Sequence, residues 1–245
     1  MGGLSIRERL INSNLLNWGV MISARGVTKK FGNITALDEV SFEIGAGEFV
    51  FLTGPSGSGK TTVLRLILRE LKPDGGSLFV DGHDLAKLAA NKLPHYRRAV
   101  GVVFQDFKLL ADRNVTENVA LPLQVRGASL GDIAKAVKQS LEVVGLTERA
   151  SLFPAQLSGG ELQRVVMARA IVGQPRLILA DEPTGNLDPK TARSIVKLLH
   201  AIHKELKTTV VMATHNADIV DSLGLRVISL DRGKVVKDSP KGKYE

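Results

Sequence analysis

The chain has 245 residues, 44% of them hydrophobic, a formal net charge of +8 and no cysteine. That length and apolar content support one sizeable core with room for a helical insert, and the missing cysteines exclude disulfides and thiolate metal sites and suit a reducing compartment. No apolar run approaches the ~18 residues of a membrane span, so work at a membrane requires a separate membrane partner.

Residues 1–21 read as an N-terminal extension. Leu10, Ile11, Leu15, Leu16 and Trp18 are suited to a short amphipathic membrane-touching helix, or the stretch is an accessory segment dispensable for activity. Residues 22–80 read as short strands with turns. Within them, Phe49-Val50-Phe51-Leu52-Thr53 is an apolar run of strand formers, predicted to be a buried strand. Gly54-Pro55-Ser56-Gly57-Ser58-Gly59-Lys60-Thr61 follows and fits G-x-x-x-x-G-K-[ST], the phosphate loop of nucleotide triphosphatases. The glycines let the backbone turn tightly and aim N–H groups inward. A helix predicted from Thr61-Thr62 to Leu68 points its positive end at the phosphates. Lys60 is placed to reach the β- and γ-phosphates and the Thr61 hydroxyl to ligate Mg²⁺.

Val100 to Phe104 reads as a strand ending at Gln105, and residues 106–170 read mainly as helices, including Leu130 to Val144. Phe107, Leu109 and Leu110 are apolar in what reads as a loop, a pattern expected of a docking groove. Residues 85–140 hold nine Lys and Arg against four acids, a basic face suited to anionic headgroups. Nucleic acid is not expected as a partner, because only Tyr96, Phe104 and Phe107 accompany those charges, too few for a stacking platform. Ser158-Gly159-Gly160-Glu161 opens a helix through Ala170, with Ser158 as N-cap and Glu161 in its first turn. A helix start with free N–H groups and a hydroxyl is an anion site.

Leu177-Ile178-Leu179-Ala180 is an apolar strand running into Asp181-Glu182, and parallel sheets bind ligands beyond such strand ends. Asp181 is placed to hold Mg²⁺ and Glu182 to polarise the attacking water. Asp188 and Pro189 read as the N-cap and first residue of the next helix. Residues 171–231 alternate strand and helix, which argues for a parallel sheet. Of His83, His95, His200, His203 and His215, only His215 follows an apolar strand, Thr209 to Thr214. It is assigned to the γ-phosphate and the attacking water. His200 and His203 share a solvated helix face, with no third metal ligand nearby.

These motifs resemble the ATP-binding cassette family over about residues 22–240. The resemblance implies an α/β P-loop NTPase (RecA-like) core with an antiparallel β subdomain, an inserted α-helical subdomain at about 106–170, and a tail at 241–245. It implies that Phe31 stacks on adenine, that Gln105 senses Mg²⁺, and that Asn186-Leu187-Asp188 passes contacts between subunits. It also implies that Ser158 to Glu161 caps the ATP of a second copy, making an ATP-dependent homodimer. The chain departs from the family at Phe31, where Tyr is more frequent, and at Leu162, where Gln is common. The stretch Gln105-Asp106-Phe107 and the pair Asp112-Arg113 resemble the cell-division branch. There, ATP hydrolysis is coupled through a membrane permease to peptidoglycan hydrolase control. This implies a peripheral place on the cytoplasmic face of the plasma membrane at the division site, among other division proteins. Asp181 to Asp188 is shared with lipoprotein-release and macrolide-export ATPases, so an exporter, or a mainly structural ATP-dependent scaffold, stands beside that reading.

Overall fold

The computed structural model describes residues 19–244. The amphipathic pattern from Leu10 to Trp18 lies outside the described residues. In chain order the elements are β1 (Val20–Phe31), β2 (Ile34–Gly45), β3 (Phe49–Thr53), α1 (Lys60–Ile67), β4 (Gly75–Val80) and β5 (His83–Asp84). There follow α2 (Leu93–Arg98), β6 (Val100–Phe104), α3 (Val115–Val125), α4 (Leu130–Val144), α5 (Gly159–Ile171) and β7 (Leu177–Asp181). The chain ends with α6 (Pro189–Leu206), β8 (Thr209–Ala213), α7 (Ala217–Leu223), β9 (Arg226–Asp231) and β10 (Lys234–Ser239).

Two sheets organise these strands, one of order β2-β1-β4-β5 and one of order β10-β9-β3-β8-β7-β6. The first is antiparallel, with β1 pairing β2 from Val20↔Gly45 to Phe31↔Ile34. Its strands β1 and β2 have 12 residues each, longer than the short strands the sequence predicts. Register shifts along β1 interrupt the alternation of apolar and polar residues, so one long strand reads as several short ones. In the second sheet β3 runs parallel to β8 and β9. Every residue of β3 and of β8 is buried, which explains their continuous apolar sequence.

Two compact units partition the described chain. One comprises residues 19–97, 179–182 and 209–244, and holds the antiparallel sheet, β3, α1, β8, β9 and β10. The other comprises residues 98–178 and 183–208, and holds β6, α3, α4, α5 and α6. In the second unit the helices form because local signals agree. The Asn114 side chain accepts from the Glu117 N–H while Glu117 accepts from the Asn114 N–H, a reciprocal cap at the start of α3. Ser129 caps α4 and left-handed Gly145 ends it, while Ile133, Val137, Leu141 and Val144 fall on its buried stripe. Asn118, fully buried in α3, bonds Leu110 through both its N–H and its carbonyl, and also donates to the Arg113 and Asn114 carbonyls. That network fixes the chain entering α3.

Candidate functional site

The phosphate loop belongs to the first unit, between β3 and α1. Gly54, Gly57 and Gly59 have φ of 137°, 78° and 108°. A side chain at Gly54 would strike the Leu230 carbonyl, and one at Gly59 would lie 2.8 Å from the Ala36 oxygen. Gly54 and Gly59 therefore need glycine for space as well as for backbone angle, and Gly57 for backbone angle alone. Gly59 offers α1 no side-chain cap, so the first N–H groups of the helix, including those of Thr61 and Thr62, have no capping side chain. Pro55 and Ser56 form the exposed crest of the loop, and Ser58 is buried beneath it.

Lys60 is 7% exposed and its Nζ donates to the carbonyls of Gly54 at 2.7 Å and Pro55 at 3.0 Å. Burial lowers the pKa of this ammonium, while Glu182 and Asp181 pull it back up. The Thr61 hydroxyl donates to Asp181 at 3.2 Å, at the end of the buried strand β7. Two hard oxygens are thus brought together. That donor chemistry suits Mg²⁺, which binds through one or two protein oxygens and otherwise through water and phosphate. Among the described residues no cluster of three His, Asp or Glu offers an alternative metal cage.

Glu182, one residue past β7, has a left-handed backbone with φ of 45°, and its N–H donates to the Ala213 carbonyl at 3.0 Å. Such a conformation costs a non-glycine residue of order 1–3 kcal/mol and is typical of active sites. It turns the carboxylate toward His215, whose Nδ1 lies 2.8 Å from Oε1. The carboxylate selects the Nδ1–H tautomer, leaving Nε2 for a second partner. Phe31 ends β1 with 44% of its surface exposed, and the Lys29 ammonium sits 5.5 Å from its ring.

The remaining predicted residues belong to the second unit. Ser158 caps α5. Its hydroxyl accepts from the Glu161 N–H at 3.3 Å and donates to the Glu161 carboxylate at 2.8 Å, and that carboxylate accepts the Ser158 N–H at 2.9 Å. Arg149 donates to its other oxygen at 2.9 Å. Ser158 chiefly, with Arg149, holds the Glu161 carboxyl down to about 2. The turn lines an open cleft of about 590 Å³ whose other wall is Asn186, Leu187, Asp188 and Thr191. Gly159 and Gly160 permit this close approach, since a Cβ on Gly160 would lie 2.6 Å from the Thr191 methyl. Asp188 accepts from the N–H groups of Lys190 and Thr191, capping α6 as the sequence predicts.

Gln105 is exposed, and its side chain and its backbone carbonyl each bond the Asn186 side chain. The Gln105 Nε2 donates to the Asn186 side-chain oxygen at 3.3 Å, and the Asn186 amide donates to the Gln105 carbonyl at 3.2 Å. The pairing of Gln105 with Asn186 carries no local signal, because the partners are 81 residues apart, and the Arg149 brace on Glu161 and the Asn118 network, though closer in sequence, follow no periodic pattern. Phe107 and Leu109 are half-buried and Leu110 is 44% exposed. His200 and His203 stack at 5.8 Å, and the ring nitrogen of His203 is bonded to the Thr208 carbonyl. That helix face is therefore partly buried rather than solvated, and burial lowers the pKa of both rings.

A phosphate loop on a parallel strand, a strand-end Asp-Glu pair with its histidine, and a capped glycine turn facing an Asx-capped helix define an ATP-hydrolysing cassette. The profile of the family described as ABC transporter matches residues 37–185. The chain belongs to that family and is an ATPase. It is 48% identical over 225 residues to the "Cell division ATP-binding protein FtsE" of Streptococcus pneumoniae, covering 91% of this chain and 97% of that one. It is 47% identical to the protein of the same name from Bacillus subtilis, covering 91% and 98%. For the Escherichia coli K12 protein the figures are 44%, 87% and 96%. Among solved structures, a dimeric ATP-binding cassette in a post-hydrolysis state with ADP and Pi has a TM-score of 0.81 and 39% identity, covering 91% of this chain and 100% of that one. The cbiO1 protein of Clostridium perfringens, part of the ABC transporter complex cbiONQ, has a TM-score of 0.85 and 27% identity, covering 91% and 89%.

Proposed function

We propose that this ATPase works as a head-to-tail dimer closed by ATP and drives an FtsX-type membrane permease in cell division. Through that permease, hydrolysis controls peptidoglycan hydrolases. Residues 22–240 form its ATPase domain. No helix among the described residues is long and apolar enough to cross a membrane, so the permease supplies the membrane part. The chain then sits peripherally on the cytoplasmic face of the plasma membrane at the division site, with other division proteins. Phe107 and Leu110 line the surface that receives the permease.

In this reading the glycine loop and Lys60 hold the β- and γ-phosphates, and Phe31 stacks on the adenine. Thr61 and Asp181 hold Mg²⁺, and the family resemblance adds Gln105 as its sensor. The ion, when bound, neutralises charge developing on the transferred phosphoryl group. Glu182 polarises the attacking water and His215 orients it against the γ-phosphate. Ser158, Gly159, Gly160 and Glu161, with Asp188 across the cleft, meet the ATP of the second copy.

The observation that carries the reading is the Glu182–His215 contact at 2.8 Å beside a carboxylate already bonded to Thr61. It supplies a base, its orienting partner and a metal acid at one strand end. The division role is supported by the names and coverage of the relatives. The experiment is co-purification with an FtsX-type membrane permease from the same cells, in wild type and Glu182→Gln. Recovery of a permease complex that hydrolyses ATP only in wild type is expected. A chain that hydrolyses ATP but binds no membrane protein would remove the coupling part of the reading.

A further inference from the structure

Two consecutive residues after Gln105 have a left-handed backbone without being glycine: Phe107 with φ of 53° and Lys108 with φ of 49°. Side chains rarely tolerate this, and two in a row form a tight, unfavourable turn that persists only when its surroundings hold it. One group does so. Arg169, in the last turn of α5, donates from Nη1 to the Lys108 carbonyl at 2.6 Å and from Nη2 to the Phe107 carbonyl at 2.8 Å. The planar fork of a guanidinium matches two parallel acceptors, a geometry lysine cannot copy. The Lys108 ammonium adds a brace 3.7 Å from the Phe104 ring, on the strand that precedes Gln105. On its other side Gln105 is tied to Asn186 through both its side chain and its carbonyl. A Cβ on Gly185 would come within 2.7 Å of the Gln105 amide, so the chain there lies against it.

We infer that Arg169 is a positioning residue for Gln105: it clamps the left-handed Phe107–Lys108 turn to α5, so that Gln105 and the Ser158 end of the same helix move as one body. The inference rests on the reading of Gln105 as the Mg²⁺ sensor. α5 spans 13 residues, a rigid rod with Ser158 capping one end and the Arg169 fork at the other. A displacement of the turn therefore reaches the capped glycine turn without further intermediaries.

The test uses the full chain and three variants, Arg169→Gln, Lys108→Gly and the two combined, with Gln105→Ala alongside. The readouts are kcat, the Mg²⁺ concentration giving half-maximal hydrolysis, and binding of a fluorescent ATP analogue. Arg169→Gln is expected to lower kcat about tenfold and raise the Mg²⁺ midpoint about threefold, with analogue affinity changed less than about twofold. Glycine adopts positive φ without strain, so adding Lys108→Gly should restore much of the loss. Glycine also relieves strain in the fold as such, so the deciding readout is the Mg²⁺ midpoint, which a loss of stability alone does not move. If Arg169→Gln does not fold, Arg169→Lys, with one bond of the fork, carries the same rescue comparison. Unchanged Mg²⁺ dependence in the Arg169 variant, or a loss that Lys108→Gly fails to relieve, overturns the inference while a defective Gln105→Ala leaves the sensor reading standing. A fully active Gln105→Ala overturns both.

Discussion

The phosphate-loop end and the capped turn of α5 both handle phosphate in the proposed cycle, yet they are built differently. The first is set by backbone and burial: glycines at φ of 137°, 78° and 108°, strands buried throughout, and Lys60 folded onto its own loop carbonyls. The second is set by exposed side chains bonding one another, with Ser158, Glu161 and Arg149 in series and Gln105 paired to Asn186. A buried backbone site is rigid and fails abruptly when altered. A site made of surface hydrogen bonds of about 1 kcal/mol each yields by degrees, which suits the proposed role of opening and closing against a second copy.

The largest expected effects fall on the buried side of this comparison. Glu182→Gln keeps the shape of the carboxylate but removes its charge. Hydrolysis should fall by ~100-fold or more while MgATP still binds, as measured by turnover and by analogue titration. A variant that turns over at a wild-type rate would relocate the base. Gly59→Ala adds a Cβ 2.8 Å from the Ala36 oxygen at a φ of 108°, so ATP affinity should drop at least about tenfold, with the melting temperature lowered as well.

On the exposed side, Ser158→Arg in the Glu182→Gln background should abolish the ATP-dependent dimer seen by light scattering at high protein concentration. A dimer that survives the arginine would mean that the capped turn does not act in trans. Phe31→Ala should weaken nucleotide binding by about 1 kcal/mol, a several-fold change in Kd with kcat preserved, because stacking supplies area rather than chemistry.

The smallest effect separates the two regions by pH. The Glu161 carboxyl is held at about 2 against an ordinary value of 4.5. A depressed carboxyl stabilises the fold above its unfolded pKa. The contribution of this cap should therefore be complete above about pH 4.5 and lost as pH falls toward about 2. Glu161→Ala should cost about 1 kcal/mol at neutral pH and almost nothing near pH 2, read from denaturant midpoints. A gap independent of pH would show that the carboxylate bonds contribute nothing.

Much of this could be read in the chain because the relevant physics is local. The phosphate loop, the Asp181-Glu182 strand end, and the caps at Ser158 and Asp188 each depend on neighbours within a few residues. Their sequence patterns therefore specify their geometry. The long β1 and β2 were concealed by register shifts, which break periodicity without breaking the strand. The partly buried His200–His203 face was concealed because burial depends on Thr208 and the packing around α6 rather than on helical spacing.

By itself the sequence determined the parallel core, the caps and the acids at the strand end, since alternation, apolar runs and cap residues act over one or two turns of chain. Only the tertiary structure decided which side chains hold one another across long loops. His215 meets Glu182 33 residues away, Gln105 meets Asn186 81 residues away, and Arg169 reaches back 62 residues to Phe107. These are polar contacts with precise geometry and no periodic signature. They form only after the strands and helices have brought distant residues within hydrogen-bonding reach.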